Sequence, residues 1–331
     1  MVAAVAAGVI LAEDAAGSFA CRTRSGRRLP SVDGMTDVLN VDAVSRSFGD
    51  RQVLKDISFA VPAGRMTGFV GANGAGKTTT MRIILGVLAA DAGEVTWRGA
   101  RLDRPTRQRF GYMPEERGLY PKMSVTDQIV YLGQLHGMTR NDARRRTAEL
   151  LARLDLTERA DDHVEKLSLG NQQRVQIAAA LVHDPEVLVL DEPFSGLDPL
   201  AVEAVSGVLR ERAGTGAPVL FSSHQLELVE RLCDDLVIIA DGVIRAAGDR
   251  AALRASYARP RFAIDVAADA GWLRDQPGVS LVELDGPRAV IDLADGADDQ
   301  EVLRAALARG PVHAFGPVQP SLAEIFREVA R

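Results

Sequence analysis

The chain has 331 residues, enough for two domains with an ample core. Apolar residues make up 47% and charged residues 25%, an ordinary globular balance, and the net charge of −6 lacks the basic excess expected of a nucleic-acid binder. Cys21 and Cys233, the only two cysteines, form neither a metal spacing nor a disulfide framework, which suits a reducing compartment.

No stretch reaches the roughly 20 apolar residues that a membrane-spanning helix needs. The N-terminal run Val2–Ala12 stops at Glu13-Asp14 and has no basic residue before it, so it does not read as a secretory signal. Residues 1–36, rich in Ala, Gly and Arg, read as a disordered extension, with Met35 as the expected start of the translated chain. Leu39 to Phe48 then alternates as a half-exposed strand, and Val53 to Val61 reads as a second. Pro62-Ala63-Gly64 is a turn feeding the apolar strand Met66–Val70.

Gly71-Ala72-Asn73-Gly74-Ala75-Gly76-Lys77-Thr78 follows that strand directly and leads into a helix with Met81, Ile84, Leu85 and Leu88 on its apolar face. Strand, glycine loop and helix with GxxxxGK[ST] spacing form a phosphate cradle. Glycines let successive N–H groups point into one concavity, and the helix N-terminus adds to the positive field. Lys77 would reach the β- and γ-phosphates, and the Thr78 hydroxyl would ligate Mg²⁺. Only Lys55, Lys77, Lys122 and Lys166 are lysines among 39 basic residues, which sets a lysine at this position apart from the arginines used elsewhere. A compact ammonium also fits inside the loop where a planar guanidinium would not. The bland reading is a glycine-rich turn before an ordinary helix.

Further on come Gly93–Trp97 and Phe110–Met113, the latter running into Pro114-Glu115-Glu116-Arg117. Helical patterns follow over Val125–Gly137, Arg140–Leu154 and Thr157–Lys166. Leu167-Ser168-Leu169-Gly170-Asn171-Gln172-Gln173-Arg174 opens a helix to Leu181, with Ser168 as N-cap. Val187–Leu190 is all apolar, as parallel strands are, and ends in Asp191-Glu192-Pro193. Ser195-Gly196-Leu197-Asp198-Pro199 turns into a helix through Arg212. Val219–Phe221 is the next strand, ending at Ser222-Ser223-His224, and Asp241-Gly242 joins Leu236–Ala240 to Val243–Ala247 as a hairpin.

The order and spacing of these motifs over about residues 37–250 resemble the nucleotide-binding subunit of an ABC transporter. The segments Gly111–Arg117, Leu167–Gln173 and Ser222–Gln225, with the tail Pro320–Phe326, are more narrowly similar to ABC-2-type export ATPases such as sodium-exporter and drug-efflux subunits. The resemblance implies an α/β fold: a P-loop NTPase ABC ATPase domain over 37–252, with a mixed sheet core, an antiparallel β subdomain and a helical subdomain. A small C-terminal α+β domain is expected over 253–331, with strands Arg261–Ala267, Val279–Asp285 and Arg288–Leu293 and helices Asp299–Leu307 and Ser321–Val329.

The resemblance also implies roles. ATP and Mg²⁺ are the expected cofactors, with Gly71, Asn73, Gly74, Gly76, Lys77, Thr78 and Thr79 on the phosphates and Phe48 as a platform for adenine. Thr78, Asp191 and Glu115 would face the metal. Glu192 would be the general base orienting the attacking water, and His224 would sense the γ-phosphate. Ser168 and Gly170 would face the γ-phosphate of ATP on a second subunit, and Asp198 counts among the nucleotide-binding residues. One chain carries one cradle and one signature, so two copies meeting head to tail are expected. Glu115, Leu169 and Asn171 depart from the commonest pattern (glutamine, glycine, glutamine), as they do in the export group. The implied partners are a second copy and a separate transmembrane permease, with no nucleic acid, and the implied location is cytoplasmic on the inner face of the cell membrane. A soluble ABC ATPase of DNA repair or ribosomes would carry a long coiled coil, a zinc module or tandem cassettes, and the chain has none. A nucleotide-gated regulator without turnover would not need Glu192 and His224.

Overall fold

The computed structural model describes residues 10–13, 19–22, 38–257, 260–294 and 296–329, the first two pieces by their backbone alone. The expectation for residues 1–36 therefore lies outside the described residues, except that β1 (Ile10–Glu13) and β2 (Phe19–Arg22) pair antiparallel. The described chain divides after Arg250 into two compact units.

In the first unit, β3 (Val38–Phe48) and β4 (Arg51–Pro62) lie where strands are expected and pair as an antiparallel hairpin. Pro62 ends β4, an edge strand, where a missing N–H costs no ladder bond. β5 (Met66–Val70) is buried at every position and feeds α1 (Lys77–Ile84) through the glycine loop. β6 (Ala92–Trp97) and β7 (Ala100–Arg101) complete the antiparallel sheet in the order β4-β3-β6-β7. After the short α2 (Arg104–Arg107) comes β8 (Phe110–Met113), then a helical layer of α3 (Val125–Leu135), α4 (Arg140–Arg153) and α5 (Leu169–Leu181). β9 (Val187–Leu190), α6 (Pro199–Gly214), β10 (Val219–Ser223), α7 (Leu226–Leu232), β11 (Asp235–Ala240) and β12 (Val243–Asp249) close the unit.

The second sheet has the order β12-β11-β5-β10-β9-β8, parallel throughout except for the β11-β12 hairpin. Its central strands are covered on both faces, which explains why they read as continuous apolar runs. Leu39, Val41, Ile57 and Phe59 from the antiparallel sheet share one core with Phe69, Met81, Ile84, Val189 and Ile239. Each such side chain contributes about 1.5–3 kcal/mol relative to exposure. The core fixes the glycine loop between two sheets.

Thr157–Lys166 is not the helix its pattern predicts. It forms two 3₁₀ turns, Thr157–Arg159 and Val164–Lys166. Between them the backbone folds onto the start of α3, where Val125 N donates to the Asp162 carbonyl (3.0 Å) and Val164 N to the Met123 carbonyl (3.1 Å). These tertiary bonds replace the local helical ones.

Two histidines outside any sequence motif come together here. His136 caps the C-terminus of α3 and stacks on His183, with ring centroids 3.6 Å apart and planes within 11°. His136 Nδ1 faces the Gln108 carbonyl at 2.9 Å, and His183 Nε2 faces the Phe110 carbonyl at 3.2 Å. The other nitrogen of His183, Nδ1, is buried without a partner, so it holds a lone pair and the ring is neutral. Burial first, and then His136, push the His183 pKa down to about 4, against weaker support from Asp184. The unfolded chain therefore takes up this proton first: the contribution is complete above about pH 6.5 and is lost as pH falls towards 4. We expect the wild type to lose about 2 kcal/mol more stability than His183→Phe between pH 7 and pH 4.5, read by urea unfolding. Equal losses in the two proteins would refute the assignment.

The helix α8 (Arg250–Ser256) starts at the boundary, and the second unit holds β13 (Arg261–Val266), β14 (Val279–Asp285), β15 (Arg288–Leu293), α9 (Asp299–Leu307), β16 (Val312–Pro317) and α10 (Leu322–Val329). Its antiparallel sheet has the order β14-β15-β13-β16. Three strands are expected from the sequence, and β16 is the fourth. Its Ala314, Gly316 and Pro317 hide the alternation, and pairing with β13 supplies what its propensity lacks. Ile264, Ile291 and Leu293 pack with Val302 and Ala306 of α9 into a separate small core. Arg261 joins β15 to α10 through ion pairs with Asp292 (2.6 Å) and Glu324. Among the described residues, no helix is long and apolar enough to cross a membrane.

Candidate functional site

At the end of β5 the chain has no room for side chains. A Cβ on Gly71 would lie 2.5 Å from the Ile239 carbonyl oxygen. Gly76, the N-cap of α1, has φ 113°, a conformation that L side chains rarely adopt. The loop is thus folded around its own backbone. Lys77, almost wholly buried, donates from Nζ to the carbonyls of Gly71 (2.7 Å) and Ala72 (3.3 Å). These are neutral acceptors, and among the described residues no carboxylate pairs with the ammonium.

Asp191 ends β9 beside that loop, and both its oxygens are engaged. Thr78 Oγ1 donates to Oδ2 at 2.7 Å, and Ser222 Oγ donates to Oδ1 at 2.5 Å. The same Ser222 oxygen accepts from the Glu192 backbone N–H at 2.8 Å. Glu192 has φ 52°, an unusual conformation for a non-glycine residue. Gln173 of α5 helps to hold it there by donating to the Glu192 carbonyl at 2.9 Å. Strain maintained by surrounding bonds is typical of functional positions. His224 Nδ1 lies 3.0 Å from Glu192 Oε2.

Lys77, Thr78, Asp191 and Glu192 border one cavity of about 330 Å³. Of the residues singled out from the sequence, Asn73, Gly74, Gly76, Lys77, Thr78, Thr79, Glu115, Asp191 and Glu192 line it, together with Arg51 and Val53. Gly71 lies buried behind the loop, and His224 stands next to Glu192. Phe48 does not line the cavity: it is exposed at the end of β3 with the Arg46 guanidinium 5.0 Å from its ring centroid. Ser168, Gly170 and Asp198 also lie off it. Ser168 caps α5 by accepting from Asn171 N (3.3 Å), and Asp198 caps α6 by accepting from Ala201 N (2.8 Å). Gly170 and the Gly196 turn pack so closely that an added Cβ would lie 3.2 Å from the Gly196 carbonyl.

Ser222 and Gln173 are functional positions that the sequence reading passes over. Ser222 stands in the quoted Ser222-Ser223-His224 run, but its bridging role appears only when β10 lies beside β9. The cavity also suits a hard divalent cation. The Thr78 hydroxyl and the Asp191 carboxylate are both oxygen donors and already meet. Among the described residues no three His, Cys, Asp or Glu side chains assemble a metal cage.

Comparison with known proteins shows the family. The ABC transporter family profile matches residues 54–195, and that of the ATP-binding protein DrrA1-3-like C-terminal domain matches residues 248–330. An ABC transporter ATP-binding protein of Bacillus subtilis (strain 168), YhaQ, is 38% identical over 291 residues, covering 88% of this chain and 98% of its own length. The Nod factor export ATP-binding protein I of Paraburkholderia xenovorans (strain LB400) is 38% identical, covering 66% of this chain and 73% of that one. A solved ATP-binding subunit of an ABC transporter superposes with a TM-score of 0.62 at 34% identity, covering 66% of this chain and 93% of the other. With a cradle, an acidic pair and a relative matched along almost its whole length, the chain belongs to the ATP-binding subunits of ABC transporters, whose ATPase domain binds and hydrolyses ATP.

Proposed function

We propose that the chain works as a head-to-tail pair of copies around two Mg²⁺-bound ATP molecules, and that it drives a separate membrane permease in the direction of export. One observation supports the pairing: the Ser168–Gly170 end of α5 does not border the chain's own cavity. A helix N-terminus with a capping hydroxyl suits a phosphate, and a second copy is the economical source of one. The export direction rests on relatives such as the Nod factor export protein.

Within each cavity the loop amides and Lys77 hold the phosphates, and Phe48, outside it at the end of β3, is assigned to the adenine. Thr78 and Asp191 would hold Mg²⁺, which would offset phosphate charge when bound, with Glu115 of the cavity lining as the further metal-facing group. Glu192 accepts a proton from the attacking water, while His224 Nδ1 orients its carboxylate. Ser222 fixes the acidic pair as a unit. The ATPase cassette is assigned to residues 37–252 and the appended domain to 253–331. The chain then sits on the inner face of the cell membrane through its permease.

Membrane flotation tests this reading. Co-expressed with a multi-spanning membrane protein encoded beside it, the chain is expected to float with vesicles; expressed alone, it is expected to stay at the bottom of the gradient. A chain that floats equally well alone would refute the permease-mediated location.

A further inference from the structure

Gln176 lies eight residues after Ser168, about 12 Å along the axis of α5. It is buried. Its Nε2 donates to two backbone carbonyls, Pro114 at 3.0 Å and Glu116 at 3.2 Å. Those residues flank Glu115, which lines the nucleotide cavity. The same loop leaves β8 at Met113, whose carbonyl accepts from Asp191 N at 2.8 Å.

The other end of the Gln176 amide makes the arrangement informative. Its Oε1 is buried without a hydrogen-bond partner. A buried unpaired acceptor costs free energy, so a side chain chosen only to fill this space would do better apolar. What the amide supplies is its pair of donors, and both are spent on the two peptide groups around Glu115. An exposed carboxylate on a short loop would otherwise sample many positions, and its distance from a cation decides how strongly it acts.

We propose that Gln176 is a positioning residue for ATP hydrolysis: by bonding the carbonyls on both sides of Glu115 it holds that carboxylate at the cavity rim and ties it to the helix capped by Ser168. The inference rests on the reading of Glu115 as a metal-facing group. It adds a direct mechanical path. α5 is one continuous helix, so a shift at its Ser168 end, when a second copy engages there, is passed to Glu115 through Gln176. The signature and the metal-side carboxylate then respond together.

A double-mutant cycle tests the clamp. Gln176→Met keeps side-chain length and removes the donors. It is made in the wild type and in Glu115→Ala, with Gln176→Ala as the second variant should the methionine protein fail to fold. Mn²⁺ binding to each protein, loaded with a non-hydrolysable ATP analogue, is measured by electron paramagnetic resonance. The magnesium concentration for half-maximal ATPase activity is measured in parallel. Glu115→Ala alone should weaken Mn²⁺ binding, and Gln176→Met should weaken it three- to tenfold. In the Glu115→Ala background the same substitution should change it by less than 1.5-fold, because there is no carboxylate left to position. The magnesium requirement should follow the same pattern, with affinity for metal-free nucleotide unchanged. Equal weakening in both backgrounds, or none in either, would overturn the clamp alone. A Glu115→Ala protein with wild-type Mn²⁺ affinity would overturn the metal role of Glu115 and the clamp with it.

Discussion

Lys77→Ala is expected to lose ATP binding by at least 100-fold, about 2.7 kcal/mol, while the protein stays folded. Lys77 is buried, and among the described residues its Nζ hydrogen-bonds to the carbonyls of Gly71 and Ala72 and to no carboxylate. A charge kept in such a place without a carboxylate is costly unless an anion meets it, and the surrounding loop is open to the cavity. Removal of the ammonium deletes the point charge nearest the phosphates. Two internal hydrogen bonds go with it, so a modest fall in melting temperature should accompany the lost affinity. Calorimetric titration with ATP measures the first effect and thermal unfolding the second. An affinity within threefold of wild type would show that the loop amides alone carry the phosphates.

Glu192→Gln should separate binding from chemistry. Hydrolysis should fall by at least about 100-fold, the lower end of what a positioned general base contributes, while ATP affinity stays within about threefold of wild type. The structure explains why so conservative a change can be so selective. The bonds that fix this residue use its backbone: its N–H donates to Ser222 Oγ and its carbonyl accepts from Gln173. Both survive the substitution, and so does the Asp191–Thr78 contact. Only the carboxylate facing His224 is exchanged for a weaker base. ATP should therefore accumulate between two chains, and sizing chromatography in ATP should show a dimer. A Glu192→Gln protein that remains monomeric in saturating ATP, or that turns over at more than a tenth of the wild-type rate, would move the base elsewhere.

Much of this site is legible along the chain because its parts are local. Strand Met66–Val70, the glycine loop and Lys77 are contiguous, and the turn conformations they need exclude most other residues. Asp191 and Glu192 follow an all-apolar strand, and the end of a buried parallel strand is where polar residues first become useful. The N-caps Ser168 and Asp198 are likewise local, each bonding an amide three residues on.

Other features have no local signature. The Thr78–Asp191 contact joins residues 113 positions apart, and the Ser222–Asp191 bond depends on β9 and β10 lying side by side. Gln176 looks like one more polar residue in a helix until the loop around Glu115 is folded against it. His136 and His183 stand in no motif and meet only where α3 and α5 end together. Residues 157–166 carry a helical pattern, yet backbone bonds to the start of α3 divide them into two short turns. Strand β16 lacks alternation and exists because β13 offers it an edge. By itself the sequence determined the cradle, the acidic pair and most of the individual strands, since turn geometry, capping and burial act over a few residues. Only the tertiary structure decided which oxygens meet, which helix holds Glu115 and which ring loses its proton, because each depends on chain segments brought together by the shared core.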